Sequence, residues 1–256
     1  MHLVRFFPRR LVWLIAAGLA WAATTARGFD HGVLDALLKE RVSAGLVDYA
    51  ALKTDPRLSA YLEVLAAAEP AALEARAEQL AFWINAYNAY TLKLIADHHP
   101  LKSIKDVPHA GVESPWDLPV ARVGGRTLSL NHIEHQILRA ELKEPRIHYA
   151  VVCAALSCPP LRSEAYVAER LEEQLAEQAR VFLAKQSRFD GGARRAELSL
   201  IFQWFAVDFG TEPAAVLRSL APHAPAAVRQ SLANESERWT VSYLDYDWSL
   251  NERASK

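Results

Sequence analysis

The chain has 256 residues, a formal net charge of −1 and 51% hydrophobic residues. That balance gives no electrostatic field for nucleic acid, and no basic amphipathic helix marks a membrane surface. Two cysteines permit one disulfide and demand none.

Arg5, Arg9 and Arg10 precede an uncharged run from Leu11 to Ala26, with small-residue exits at Ala22 and Ala26. A basic start, a short apolar stretch and a small-residue exit predict a secretory signal peptide over residues 1–26. The run is short for a bilayer span, which needs about 20 residues. The expected address is therefore periplasmic or secreted, with cleavage after Ala22 or Ala26 and no stable membrane span afterwards. The mature chain loses three arginines and becomes mildly acidic. Residues 27–256 are expected to form a single α+β domain.

In chain order, Phe29 to Lys53 reads as a helix with Val33, Leu37 and Leu38 at helical spacing, running to a short Val47-Asp48-Tyr49 segment. Two helices are expected near Arg57 to Ala68 and Ala71 to His98. The second stops before Pro100, because the residue preceding proline resists α geometry. Val120 to Leu130 predicts two strands joined by Gly124-Gly125. Asn131 then reads as a helix cap, with Glu134 completing a capping box. Ile147 to Cys153 reads as a buried strand that ends in the stiff loop Ser157-Cys158-Pro159-Pro160. Ser163 to Lys185 reads as an amphipathic helix. A second Gly-Gly hairpin follows at Phe189 to Leu200, then two short helices, with Pro213 in the first turn of one. Thr240 to Leu250 alternates like a strand. Helices dominate early and strands mix in later, which predicts an α+β fold with helices packed on a small antiparallel sheet.

Several groups could carry chemistry. On a regular strand, His148 and Cys153 point to opposite faces, so Cys158, on the loop beyond, is the thiol better able to meet His148. A cysteine nucleophile with a neighbouring base is one reading. A packed thiol, or a Cys153–Cys158 bridge across four intervening residues, are the others, and an exported protein is free to form the bridge. Asn85 and Asn88 share one face of their helix. As buried amides among aromatics they either fix the packing of that helix or serve at an oxyanion or a catalytic histidine. His132 and His135, three apart, with Glu134 between them, raise a metal site. No third ligand is marked, so no metal or cofactor is expected, and His135 is read as a site residue or buried hydrogen-bonder. Asp208, beside Trp204-Phe205, and Asp247, beside Trp248, are acids either of which could orient an imidazole.

Four separated motifs stand in order: Phe82-Trp-Ile-Asn85-Ala-Tyr-Asn88, Leu128 through Arg139, His148 through Ser157-Cys158-Pro159 to Leu161, and Tyr246-Asp247-Trp248-Ser-Leu-Asn251. Together they resemble the family catalogued as domain of unknown function 547, over Leu80 to Asn251. That family is grouped with the papain-like cysteine peptidase superfamily. The resemblance implies a papain-like topology, a hydrolase or acyl-transfer ancestry, and a Cys–His site in which Cys158 and His148 match the family's cysteine and histidine. The histidine precedes the cysteine here, the reverse of papain. The function expected is a cysteine-dependent hydrolase or acyltransferase using Cys158, His148 and His135, acting on an unknown peptide, protein or envelope component. The alternative is a non-catalytic periplasmic binding module. A redox role ranks third, because the spacing departs from C-x-x-C.

Overall fold

The computed structural model describes residues 28–253, so the expected signal peptide lies outside the described residues. The helix expected from Phe29 to Lys53 is broken into α1 (Gly32–Arg41), the hairpin β1 (Val42–Ser43) and β2 (Leu46–Val47), and α2 (Tyr49–Leu52). Gly45 makes that turn at φ 81°, and a side chain there would collide with Pro160. Only glycine allows both the left-handed backbone and the close approach. α3 (Pro56–Ala66) lies close to the helix expected near Arg57 to Ala68, with Pro56 in its first turn and the Asp55 carboxylate accepting from the Arg57 N–H at 3.1 Å.

α4 (Arg76–His98) is the central helix. From Leu80 to Ala96 it is buried on almost every side, the pattern of a helix enclosed by other elements rather than lying on a surface. Asn85 and Asn88 are among those buried positions, and each clamps a stretch of irregular chain. The Asn85 amide donates to Tyr166 O at 2.8 Å and accepts from Tyr166 N at 3.0 Å. Asn88 donates to Ala150 O at 2.9 Å and accepts from Val152 N at 3.0 Å. Each amide thus does for a backbone segment what a neighbouring strand would do.

The expected strand from Ile147 to Cys153 does not form. Pro145–Tyr149 is a 3-10 turn, started by Pro145 and by Glu144, whose carboxylate accepts from Arg146 N. The chain then runs on irregularly, bonded to Asn88 instead of to a strand. A short apolar run does not distinguish strand from buried turn by periodicity, and here the proline and the amide decide.

β3 (Ala121–Val123) and β4 (Arg126–Leu128) form the expected hairpin around Gly124-Gly125. The helix after it, His132–Glu141, is a π-helix, closed by Leu142 N donating to Ile137 O at 2.8 Å. Its expected capping box is absent. The Ser129 hydroxyl accepts from His132 N, and the Asn131 amide donates to Asp117 instead. α5 (Leu171–Gln186) buries Leu171, Leu175 and Phe182, starting later than expected.

β5 (Ser187–Asp190) and β6 (Arg195–Leu198) form the second hairpin. Four short helices follow: α6 (Ile201–Trp204), α7 (Ala206–Phe209), α8 (Pro213–Leu220) and α9 (Ala226–Asn234). β7 (Thr240–Tyr243) then joins β6 in parallel, so the largest sheet is mixed. The α+β class holds, with small sheets set among many helices.

Two hydrophobic clusters result. One gathers α1 to α4, the first two hairpins and the π-helix; the other gathers the later part of α5, the mixed sheet and the helices after it. Tyr246 packs against both. Beyond it the chain laces back, with Leu156 N donating to Ser249 O at 2.8 Å and Asn251 N to Ala154 O at 2.9 Å. Among the described residues no helix is long and apolar enough to cross a membrane.

Candidate active site

Where the two clusters meet, the surface opens into a cleft of about 640 Å³, its mouth included. Its lining joins Tyr87, Glu134, His135, His148, Cys153 and Cys158 with a group of large aromatics. Of the seven expected site positions, four line this cleft, and Asp247, Asn85 and Asn88 do not. The Asp247 side chain is exposed and accepts from Ser249 N at 2.9 Å, the job of a turn residue. Asn85 and Asn88 lie behind the cleft, and neither amide faces an imidazole or a thiol in its hydrogen bonds. They fix packing, the plainer of the two sequence readings.

His148 is buried and held at one ring nitrogen, with a carboxylate near the other. Its Nε2 lies 2.7 Å from Asp208 Oδ2, and its Nδ1 lies 4.0 Å from Glu134 Oε1. The ring stacks on Phe205, with centroids 4.1 Å apart. Asp208 is thus the acid that orients an imidazole. Arg139 grips the same carboxylate in bidentate fashion, Nε at 2.5 Å and Nη2 at 3.1 Å. Burial raises the Asp208 pKa, but hydrogen bonds from His148 and Arg139 outweigh it and hold the carboxyl far below its usual range. His135 closes the row, its Nδ1 accepting from Arg139 Nη1 at 2.9 Å. Since an arginine only donates, this nitrogen carries no proton. His135 therefore acts on Arg139 and touches no thiol through a hydrogen bond.

Glu134, read from sequence as a cap, is buried below His148 and lines the cleft. Burial first, then the Glu134 charge, push the neighbouring Tyr87 phenol well above its ordinary range. His132 lies against a different depression, beside Glu141 and Trp83. Among the described residues no cluster of histidine, cysteine and acid is arranged to hold a metal ion.

The thiols sit together. Cys158 Sγ is 2.6 Å from Cys153 Sγ and accepts from Cys153 N at 2.7 Å. The Tyr246 hydroxyl lies 3.1 Å from Cys153 Sγ. No hydrogen bond links either thiol to His148, so the Cys158–His148 pair expected from sequence is not made directly. The environments of the two sulfurs differ. Cys158 is buried, and burial together with its neighbouring sulfur pushes its pKa well up. Burial also pushes Cys153 up, but hydrogen bonds from Cys158, Tyr246 and the Ala155 N–H prevail and bring it below the ordinary thiol value. The thiol better suited to attack is Cys153, which is also the more exposed.

Sequence reasoning missed Tyr246 and Arg139 as site residues, although both stand inside motifs already singled out. The partners that bring them into the site, Cys153 for Tyr246 and Asp208 for Arg139, are far away in the chain.

At the mouth, Trp204 and Trp248 stack with centroids 5.9 Å apart and planes 21° apart. Tyr246 leans on both, at 4.8 and 4.6 Å. Trp116 meets Trp248 edge-on, and Lys105 Nζ sits 3.6 Å above the Trp248 ring.

Residues 70–183 match the model of the family described as protein of unknown function, DUF547. The resemblance to DUF547 holds. No curated protein and no solved structure matches the chain. The DUF547 match runs from just before α4 into α5, and so takes in Asn85, Asn88, Glu134, His135, His148 and both cysteines. Asp208, Tyr246 and Trp248, which complete the site in space, lie beyond it.

Proposed function

We propose that this is an exported protein with a papain-like domain that carries out cysteine-dependent hydrolysis or acyl transfer on a peptide, protein or envelope component. The observation that supports the reading most is that an oriented imidazole and two thiols line one largely apolar cleft. The basic-then-apolar N-terminal stretch supports export. In this reading the Cys153 thiolate attacks an ester or amide carbonyl to form an acyl-enzyme. Asp208 holds His148 in one orientation and stabilises its charged form when it carries a proton. His148 protonates the leaving group and then draws a proton from the water or amine that resolves the acyl-enzyme. Hydrogen bonds of this kind often tighten only once substrate is seated.

The test is an activated aryl ester offered to the mature protein, with release of the phenol followed over time. Cys153→Ser should abolish the reaction, and His148→Gln should slow it by about 10²- to 10⁴-fold. Reaction unaffected by Cys153→Ser would overturn the reading.

The aromatic mouth favours a second reading, a non-catalytic module that binds an apolar or flat group. Trp204 is 46% exposed and packs against Trp248 and Tyr246, which makes the mouth a contiguous aromatic patch of the kind that marks a binding site. Absence of turnover, with tryptophan fluorescence that shifts when envelope fragments are added, would support this reading instead.

A further inference from the structure

We infer that Cys153 and Cys158 form a reversible dithiol–disulfide couple, a thiol–disulfide exchange centre set in the wall of the aromatic cleft. This activity is distinct from acyl transfer and does not depend on it.

The geometry is built by elements distant in sequence. Ala154, directly after Cys153, takes a left-handed conformation at φ 59°, which folds the chain back so that Cys158 returns to Cys153. The four residues between the cysteines are then tied down by the C-terminal stretch. Asn251 N donates to Ala154 O, Leu156 N to Ser249 O at 2.8 Å, Ser157 N to Asp247 O at 3.2 Å, and Asp247 N to the Ser157 hydroxyl at 2.9 Å. Ala155 pairs with Leu250 as an isolated bridge. A loop held at every residue keeps the sulfurs in contact without help from the C-x-x-C spacing.

The two thiols are also differentiated as exchange chemistry requires. Cys153 is part-exposed and Cys158 buried, so a disulfide arriving from solution reaches Cys153 first. The Cys153 thiolate attacks one sulfur of the incoming disulfide, whose S–S bond breaks, and the departing thiolate takes up a proton. Cys153 is then part of a mixed disulfide and carries no charge. The charge that opposed ionisation of Cys158 is thereby removed, while the Cys153 N–H remains 2.7 Å from Cys158 Sγ to stabilise a thiolate there. Cys158 gives up its proton and attacks Cys153 Sγ, and the second thiolate leaves and is protonated. Two electrons pass from the protein thiols to the incoming disulfide, giving one protein disulfide and two small thiols. In the oxidised form Cys153 is no longer a nucleophile, so this couple would switch acyl chemistry off.

The test equilibrates the mature protein in buffers spanning reduced to oxidised glutathione, quenches with an alkylating agent and reads intact mass. The expected result is a shift from two alkylated cysteines to none, with the protein lighter by two hydrogens, no glutathione retained, and full reversal by dithiothreitol. Cys158→Ser should stop at a glutathione adduct on Cys153, and Cys153→Ser should react about tenfold or more slowly. Stable glutathione adducts on the unaltered protein, or two alkylatable thiols across the whole range, would overturn the proposal. The unaltered protein alone decides the matter should either variant fail to fold. Failure of aryl-ester turnover leaves this titration untouched, so the two proposals fall separately.

Discussion

Tyr246 stands at the junction of the two hydrophobic clusters, with its hydroxyl 3.1 Å from Cys153 Sγ. Burial and the two sulfurs push its own pKa far up, so it remains a proton donor over any working pH. Tyr246→Phe keeps the ring against Trp204 and Trp248 and removes only the donor. The midpoint of Cys153 alkylation against pH should then rise, whereas a purely structural role would leave it in place. His31 gives a second pH dependence at this scale. Its ring is buried, its Nδ1 lies 2.7 Å from the Tyr61 hydroxyl, and burial lowers its pKa from 6.5 to about 4 against a weaker pull from Asp30. The folded state thus holds His31 neutral, while the unfolded chain takes up a proton below pH 6.5. The contribution is fully present above pH 6.5 and declines as pH falls toward 4, by up to about 3 kcal/mol. Urea midpoints measured across that range should fall, and His31→Phe should flatten that part of the curve.

At the scale of elements, α4 organises the site from behind. Asn88 bonds both Ala150 O and Val152 N, and this stretch leads directly into Cys153. Asn88→Ala leaves a buried carbonyl and a buried N–H without partners, at about 1–3 kcal/mol each. Chemical denaturation should show a loss of about 2–5 kcal/mol, and Cys153 should become more accessible to alkylation before global unfolding. Asn85, clamping Tyr166, should cost similar stability without changing the thiols. The sequence already marked these two amides as buried neighbours on one helix face, because a pair of poor helix formers among aromatics needs partners. It could not say which backbone they hold. The same gap explains the strand wrongly expected from Ile147 to Cys153. Its apolar residues are buried as expected, but its backbone is satisfied by local turns and, at Ala150 O and Val152 N, by a side chain 62 and 64 residues away. The π-helix shows the same effect, since Glu134 fits a capping pattern in sequence and in space becomes a buried neighbour of His148.

Across the whole molecule, what was legible in the chain is what local chemistry sets. The helix ending before Pro100 carried two amides among aromatics that needed buried partners, the Gly124-Gly125 turn had to make a hairpin, and the prolines after Cys158 had to stiffen its loop. The set of residues that gather in the cleft was largely legible too, since Glu134 and His135 stood in one motif and His148 and both cysteines in another. Their pairing was not. His148 meets Asp208 across 60 residues, and Cys153 meets Tyr246 across 93. Which thiol is acidic depends on donors brought by chain segments that no spacing rule connects. Sequence alone determined the two Gly-Gly hairpins, the approximate place of most longer helices and the candidate residues, because propensity and patterning act over a few positions. Tertiary structure alone decided that, of the two thiols lining the cleft, Cys153 is the more exposed and the more acidic, because a pKa is set by burial and by neighbours in space.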